Sequence, residues 1–178
     1  MRAALTALIL LLGLQGAYAE DKALTTAGTG MAIALPLIAG GISAYKDDWV
    51  GVGQLTLDTI ATVGTAYALK NIVRERRPDG SDWQSFPSDT TALAASGSSY
   101  LWARYGWEYG LPAFAATQFV SYTRVDAKKH HWYDTLASSA LGIGYAAIFT
   151  TRYHKRYNIY TDLDASPDGA MIHLTYNF

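Results

Sequence analysis

The apolar residues of this chain recur at helical rather than alternating spacing in one segment after another, and this feature constrains the fold more than any other. Between residues 49 and 76, Leu, Ile and Val are distributed among Thr and Ala in a helical pattern that stops at Pro78. Stretches rich in Gly, Pro or polar residues separate the segments. We therefore predict an all-α fold, a bundle of about five helices. The other segments lie at about residues 28–45, 89–105, 111–122 and 133–151.

The pattern changes at the C-terminal end of the chain. Residues 157–164 and 170–178 favour two strands, and the sequence Ser-Pro-Asp-Gly at 166–169 favours a turn between them. We predict a short C-terminal β-hairpin extension over residues 157–178. Its exposed edge could pair with a partner or with a second copy of the chain, which makes an oligomer one of the open alternatives.

The N-terminal residues resemble an export signal. Arg2 precedes an apolar run, and Ala17-Tyr18-Ala19 matches the small-x-small pattern of a cleavage site. We predict a signal peptide at residues 1–19, followed by a single helical domain at 20–156. The protein would then lie in the bacterial periplasm or at a membrane of the cell envelope. An uncleaved first membrane helix is the alternative, although the apolar run is shorter than the roughly 20 residues that a span requires.

Composition excludes several classes of function. The chain has 14 Lys and Arg against 15 Asp and Glu, so it lacks the excess positive charge that attracts nucleic acid. It has no cysteine, which excludes disulfides and thiolate metal sites. Half of its residues are hydrophobic and only 16% are charged, as in a compact or membrane-associated helical protein. Whether the association is integral or peripheral stays open at this point.

The first block of chemical interest ends the second predicted helix. Lys70 and Arg77 are seven residues apart, which is close to two helical turns, so we expect both cations on the same helix face. Two cations held in this way can bind a phosphoryl group. The alternative is a basic last turn that complements the helix dipole.

The second block leads from a turn into the third predicted helix. Residues 85–90 read Ser-Phe-Pro-Ser-Asp-Thr. The free backbone N–H groups at a helix start favour an anion, so a phosphate would fit there. The alternative is ordinary capping of the helix by Ser88 or Asp89.

The third block contains Arg124, His130 and Asp134. If the chain is helical from His130 onward, the histidine and the aspartate lie on one face, one turn apart. The carboxylate can then bind one imidazole nitrogen and leave the other as a nucleophile. The alternative is an ordinary surface pair at helical spacing.

Together and in this order, the three blocks resemble the signature of the type 2 phosphatidic acid phosphatase superfamily. This helical superfamily also includes bacterial acid phosphatases and vanadium-dependent haloperoxidases. The resemblance covers about residues 50–148, and the wording Ser-Phe-Pro-Ser-Asp is most similar to the undecaprenyl pyrophosphate phosphatase branch. It implies hydrolysis of a phosphomonoester or pyrophosphate on a lipid at a membrane, such as undecaprenyl pyrophosphate, phosphatidic acid or lipid A.

The resemblance also implies a phosphate clamp. Carried over by position, it makes Lys70, Arg77 and Arg124 the clamping cations. Ser88 and the backbone around Asp89 would donate hydrogen bonds to the same phosphate oxygens.

The family pattern further implies covalent catalysis. His130 would attack phosphorus and form a phosphohistidine, while Asp134 would hold the ring tautomer and stabilise the imidazolium. The implied chemistry requires no metal and no other cofactor.

One position departs from the family pattern. The second block normally ends in a histidine that protonates the leaving oxygen, and here that position is Thr90. A threonine hydroxyl is a very poor general acid, and losing general acid catalysis typically costs roughly 100- to 10,000-fold in rate. Two hypotheses follow: a phosphatase that works without this group, or a catalytically impaired phosphate- or lipid-binding envelope protein on the same scaffold. His131 is the candidate substitute, although on a helix its side chain would point about 100° away from that of His130.

Overall fold

The computed structural model describes the backbone of residues 2–154, 158–166 and 169–177 and the side chains of residues 22–154. Over residues 2–154 the predicted all-α bundle of about five helices is confirmed. The helices are α1 (Arg2–Tyr45), α2 (Trp49–Ile72), α3 (Asp89–Tyr105), α4 (Trp107–Asp126) and α5 (Trp132–Phe149).

Helix α3 is the central element and contacts each of the other four helices, whereas α4 and α5 touch one another only slightly. Small residues allow this close packing. A Cβ atom on Gly97 of α3 would lie 2.7 Å from the backbone nitrogen of Pro36 in α1, and one on Gly142 of α5 would lie 2.8 Å from the backbone of Ala95. Any side chain at either glycine would force the helices apart, so α3 is held tightly on two sides.

Three of the connections are short, and the long loop 73–88 returns the chain to the end of α2, where Lys70 pairs with Asp89, so successive helices alternate in direction. One end of the bundle therefore collects the C-terminal ends of α2 and α4 and the N-terminal ends of α3 and α5. We call it the site end, because all three sequence blocks meet there. The opposite end contains the C-terminal ends of α1, α3 and α5 and the N-terminal end of α2.

Helix α2 ends earlier than its apolar pattern predicts. Its last helical residue is Ile72, and Val73 follows with the extended backbone angles φ −90° and ψ 97°. Arg77 consequently lies in the loop after the helix, and the expectation that it shares a helix face with Lys70 is wrong. The loop folds back on itself, since Glu75 pairs with Gln84 and its carbonyl accepts the Ser85 N–H at 3.0 Å.

Two helices, α3 and α5, begin at the site end. Ser88 caps α3 as predicted, because its hydroxyl oxygen accepts the Thr91 N–H at 3.3 Å. Helix α5 begins at Trp132 with His131 as its N-cap. The condition of a helix from His130 onward is therefore not met, and His130 lies in the loop before α5.

Two strands follow the bundle, β1 (Asn158–Ser166) and β2 (Gly169–Asn177). They pair antiparallel, with the first residue of β1 opposite the last of β2. Residues 167 and 168 of the predicted turn lie outside the described residues, as do the side chains of both strands. The role of the hairpin in assembly stays a prediction.

The N-terminal helix runs without interruption through the predicted boundary at residue 19. The side chains of residues 1–21 lie outside the described part of the chain, and the signal peptide stays a prediction. Within α1, the segment Lys22–Tyr45 is long and apolar enough to cross a membrane, by length and composition.

Candidate active site

His130 is buried at the site end, with only 4% of its surface exposed. Its Nδ1 atom lies 2.7 Å from the backbone carbonyl oxygen of Ser85. Because a carbonyl oxygen can only accept a hydrogen bond, Nδ1 carries the proton. The other ring nitrogen, Nε2, therefore has a free lone pair, which is the state that a nucleophilic histidine needs.

Asp134 contacts His130 less directly than its spacing suggested. Its Oδ2 atom lies 3.6 Å from His130 Nδ1, which is too long for a hydrogen bond. The same oxygen accepts the Ser85 hydroxyl at 2.6 Å and the His131 backbone N–H at 2.8 Å. Asp134 thus fixes the loop and the start of α5, and the Ser85 carbonyl orients the His130 ring.

Positive charge surrounds the histidine. Burial is the largest cause that lowers the pKa of His130 to about 4, and the charges of Lys70 and Arg77 lower it further, against opposing contributions from the Ser85 carbonyl and Asp134. The ring is therefore neutral near neutral pH. These effects also mean that Lys70 and Arg77 lie near His130, although only Lys70 belongs to a helix.

Two of the predicted clamp cations are held by aspartates. Lys70, with 5% of its surface exposed, pairs with Asp89 across 2.7 Å. Arg77 donates from Nε to Asp82 Oδ1 at 2.7 Å, and its backbone N–H donates to the Asp82 carbonyl at 3.0 Å. Both side chains are thereby positioned by protein groups.

The third clamp cation, Arg124, has a different environment. Its exposed fraction is 7%, and it donates to the Thr25 carbonyl of α1 and, at 3.4 Å, to the Thr123 hydroxyl. Within residues 22–154 no carboxylate lies at ion-pair distance from it. It also lies close enough to Arg77 for the two charges to repel. A buried guanidinium without an anion is costly, so this position favours a negatively charged ligand.

The first turn of α3 adds hydrogen-bond donors to the site. The first N–H groups of a helix have no acceptor within it. The Thr91 N–H is bound by the Ser88 hydroxyl and the Ala92 N–H by the Ser88 carbonyl at 2.9 Å, whereas no acceptor among the described residues binds those of the two residues before them. The N–H groups of Asp89 and Thr90 are thus available to an anion. Ser88 is fully buried and serves as the cap. Thr90, at the position of the family's general acid, is partly exposed in this turn.

His131 lies in the same cluster. Its Nδ1 atom is 3.3 Å from the Ser85 hydroxyl oxygen and 3.5 Å from Asp134 Oδ2, and its ring stacks on Tyr133 with centroids 4.9 Å apart. Neither His130 nor His131 lies inside a helix, so the 100° rotation that argued against His131 does not apply. Ser85 connects the two histidines and was not predicted as a site residue, although it stands in the second block.

Three potential metal ligands meet beside these residues. Atoms of Glu75, His131 and Asp134 all lie within 4.8 Å of one another, the one such group among the described residues. Tyr133 donates a hydrogen bond to Glu75, and Ser85 donates one to Asp134. In the structure these groups form a hydrogen-bond network that holds the loop against α5.

Comparisons with known proteins identify the family of this chain. Residues 51–158 match the family model of the PAP2 superfamily. A lipid A 4′-phosphatase from Helicobacter pylori strain J99 is 29% identical over an alignment of 148 residues, and the match covers 76% of this chain and 75% of that protein. The crystal structure of Aquifex aeolicus LpxE has a similar fold, with a TM-score of 0.52 at 19% identity, over 67% of this chain and 83% of that one. Since the family match spans all three blocks and more than half of the chain, this protein belongs to the PAP2 superfamily.

Proposed function

We propose that this protein is a membrane-associated lipid phosphatase that works through a phosphohistidine at His130. The observation that carries the proposal is the buried guanidinium of Arg124, which has no carboxylate partner among residues 22–154 and lies beside Arg77. Such a group is stabilised by a bound anion. The similarity to a lipid A 4′-phosphatase makes the phosphate of lipid A the first substrate to test.

In the proposed reaction the phosphoryl oxygens bind Arg124, Arg77, Lys70 and the free N–H groups of α3. His130 Nε2 attacks phosphorus in line, the N–P bond forms and the bond to the lipid oxygen breaks. The imidazolium keeps its Nδ1–H on the Ser85 carbonyl and is stabilised by the Asp134 carboxylate 3.6 Å away. Water then attacks phosphorus, the N–P bond breaks, and phosphate and a neutral His130 are restored.

Substrate binding must compete with the ion pairs that Lys70 and Arg77 form with aspartates. Asp89 is the more easily displaced aspartate, because its side chain is 47% exposed and can turn towards solvent when phosphate takes Lys70. Asp82, which holds Arg77, is also bound by the Gln84 backbone N–H at 2.8 Å. We expect Asp82 to stay in place and to fix Arg77 during binding.

The leaving oxygen needs a proton that Thr90 cannot supply. His131 is the substitute that the geometry favours, since it contacts Ser85 and Asp134, the residues that also hold His130 in place. We propose His131 as the proton donor. Replacing it by Gln should then slow release from an alkyl phosphate more than release from p-nitrophenyl phosphate, whose leaving group needs no proton.

The surface of the bundle supports association with a membrane. Exposed tryptophans lie at both ends: Trp83 and Trp132 at the site end, Trp49 and Trp107 at the opposite end. Apolar side chains are exposed between them, and α1 contains the segment that could cross a bilayer. Two aromatic belts that flank an apolar band are typical of membrane proteins. Export to the cell envelope, with or without cleavage after residue 19, belongs to the same proposal.

A second candidate function rests on Thr90. A clamp without its usual general acid can bind a phosphorylated lipid and turn it over very slowly or not at all. The protein would then be a phosphate- or lipid-binding component of the cell envelope. Its distinguishing property would be binding without release of phosphate, together with release when the histidine is restored by Thr90→His.

Phosphate release by the detergent-solubilised protein tests both candidates. The substrates are lipid A, phosphatidic acid and undecaprenyl pyrophosphate, and the variants are His130→Ala and Thr90→His. His154→Ala is the matched control, because this histidine is exposed and the one hydrogen bond of its ring among the described residues is with the Arg152 carbonyl. Release that is lost in His130→Ala and retained in His154→Ala supports the phosphatase. Equal release by His130→Ala and the unmodified protein would contradict it.

A further inference from the structure

A polar recess lies beside the proposed phosphate site, between the C-terminal end of α2 and the loop that follows it. It has a volume of about 580 Å³ and borders Lys70, the clamp cation on α2. This volume lies in the range of ligand-binding cavities. Its other lining residues are Asn71, Arg74, Ser81, Asp82, Trp83 and Gln84.

The loop side of the recess is preformed. The Asp82 carboxylate accepts the Gln84 backbone N–H at 2.8 Å and the Arg77 guanidinium at 2.7 Å. Asp79 accepts the Ser81 N–H at 2.9 Å and pairs with Lys129 at 2.6 Å, which ties the loop to the connection before α5. The recess therefore keeps its shape without a ligand, and binding would order few groups.

The lining groups include both donors and acceptors. Asn71 donates its amide hydrogen to the Tyr67 carbonyl, which leaves its side-chain oxygen as an acceptor. Arg74 has no ion pair within residues 22–154, and the Gln84 side chain has no hydrogen bond there. A carboxylate, Asp82, lines the same recess. Mixed donors and acceptors suit sugar hydroxyls, which both donate and accept hydrogen bonds. A second phosphate would be repelled by the Asp82 carboxylate.

An aromatic ring completes the recess. Trp83 is 57% exposed, and the guanidinium of Arg76 lies 6.0 Å from its ring centroid. An exposed tryptophan presents an apolar face on which the C–H groups of a sugar ring can pack.

From this arrangement we infer that the recess binds the sugar that carries the phosphate in a phosphorylated glycolipid, so that Trp83 and Asn71 determine specificity. The inference rests on the proposed function for the position of the phosphate on Lys70, Arg77 and Arg124. It narrows the substrate class to lipids whose phosphate is attached to a sugar.

The first test compares kcat/KM for lipid A with that for a phosphatidic acid of matched chain length, in one detergent. Trp83→Ala should lower the value for lipid A by roughly 10-fold and change that for phosphatidic acid by less than about 2-fold. Trp83→Phe, which keeps an aromatic face, should restore most of the loss. Trp49→Ala, an exposed tryptophan at the opposite end, is the matched control. An equal loss for both lipids, or no loss for lipid A, would overturn the inference.

A second test separates this inference from the proposed function. The affinity of His130→Ala for lipid A is measured by calorimetric titration, with and without Trp83→Ala. An affinity for lipid A that falls in Trp83→Ala supports the sugar-binding recess. If the unmodified protein at the same time releases no phosphate, the proposed phosphatase activity is refuted and the recess is not. Phosphate release and affinity that are both unaffected by Trp83→Ala would refute the recess alone. Arg74→Gln tests the other possible ligand of the recess. If this variant loses affinity for undecaprenyl pyrophosphate but keeps its affinity for lipid A, the recess binds a second phosphate and not a sugar.

Discussion

Each end of the bundle contains a buried arginine, but only one of the two arginines is paired with a carboxylate among residues 22–154. At the opposite end, Arg104 is 6% exposed and forms a bidentate pair with Asp48, with its Nη1 atom donating to the Thr151 carbonyl at 2.7 Å. At the site end, Arg124 is buried to the same degree and has no carboxylate partner in residues 22–154. The first charge supports the fold, and we propose that the second binds a ligand.

The opposite end shows what a fully satisfied polar cluster does. Asp48 caps α2 by accepting the Gly51 N–H at 2.9 Å, and it accepts the Tyr105 hydroxyl at 2.8 Å. The Tyr105 hydroxyl also lies 2.9 Å from that of Ser43 in α1. Asp48 therefore ties the ends of several helices together, and its carboxylate is matched by Arg104. Buried polar networks of this kind favour one arrangement of the helices.

The largest expected effect is on stability at the opposite end. Arg104→Met should destabilise the protein by about 3–5 kcal/mol, because it leaves the Asp48 carboxylate buried without its cation. Chemical unfolding followed by circular dichroism measures the change. Adding Asp48→Asn should recover part of the loss, since the unpaired charge is then removed. A stability within about 1 kcal/mol of the unmodified protein would show that the pair does not hold the fold.

The matching change at the site end should act on activity instead. Arg124→Met should lower kcat/KM for a phosphorylated lipid by roughly 100- to 1,000-fold, because one charged donor to the phosphoryl oxygens is lost. Its unfolding free energy should fall far less than that of Arg104→Met. Activity close to normal, together with a large loss of stability, would assign Arg124 to the fold and remove the contrast between the ends.

A smaller effect is expected from the serine that connects the two histidines. Ser85→Ala removes the hydroxyl that binds Asp134 but keeps the backbone carbonyl that orients His130. We expect a destabilisation of about 1–3 kcal/mol, because Asp134 is fully buried, and a fall in phosphate release below about 10-fold. Ser139→Ala, which removes a hydroxyl bound only to the Thr135 carbonyl, is the control. A loss as large as that of His130→Ala would mean that the hydroxyl itself takes part in catalysis.

The pH dependence of stability and activity tests the environment of His130 at the site end. Burial and the nearby cations lower the pKa of His130 from 6.5 to about 4, so folding favours the neutral ring. This contribution to stability is complete above about pH 6.5 and is lost as the pH falls through about 4. The acid limb of kcat/KM should accordingly lie near pH 4, and Lys70→Met should move it upward because one cation is removed. An acid limb near 6.5 in the unmodified protein would contradict a buried His130 surrounded by cations.

Sequence reasoning identified the candidate site because its three blocks lie at helix ends, and the alternating directions of the helices bring these ends together. It did not predict the local geometry. The boundary of α2 at Ile72 places Arg77 in a loop, and no signal in the apolar pattern marked that boundary. The contact between His130 and the Ser85 carbonyl joins residues 45 apart in sequence, and such a backbone contact depends on the course of the whole loop. The pairing of Arg104 with Asp48, 56 residues apart, was missed for the same reason.

The most direct test of the contrast between the two ends is the effect of inorganic phosphate on the thermal unfolding midpoint. An anion that binds only the folded state stabilises it by about 2.7 kcal/mol at a concentration 100 times its dissociation constant. We predict that phosphate raises the midpoints of the unmodified protein and of Arg104→Met by similar amounts and leaves that of Arg124→Met unchanged. An equal rise in Arg124→Met, or no rise in the unmodified protein, would contradict the assignment of this buried charge to an anion.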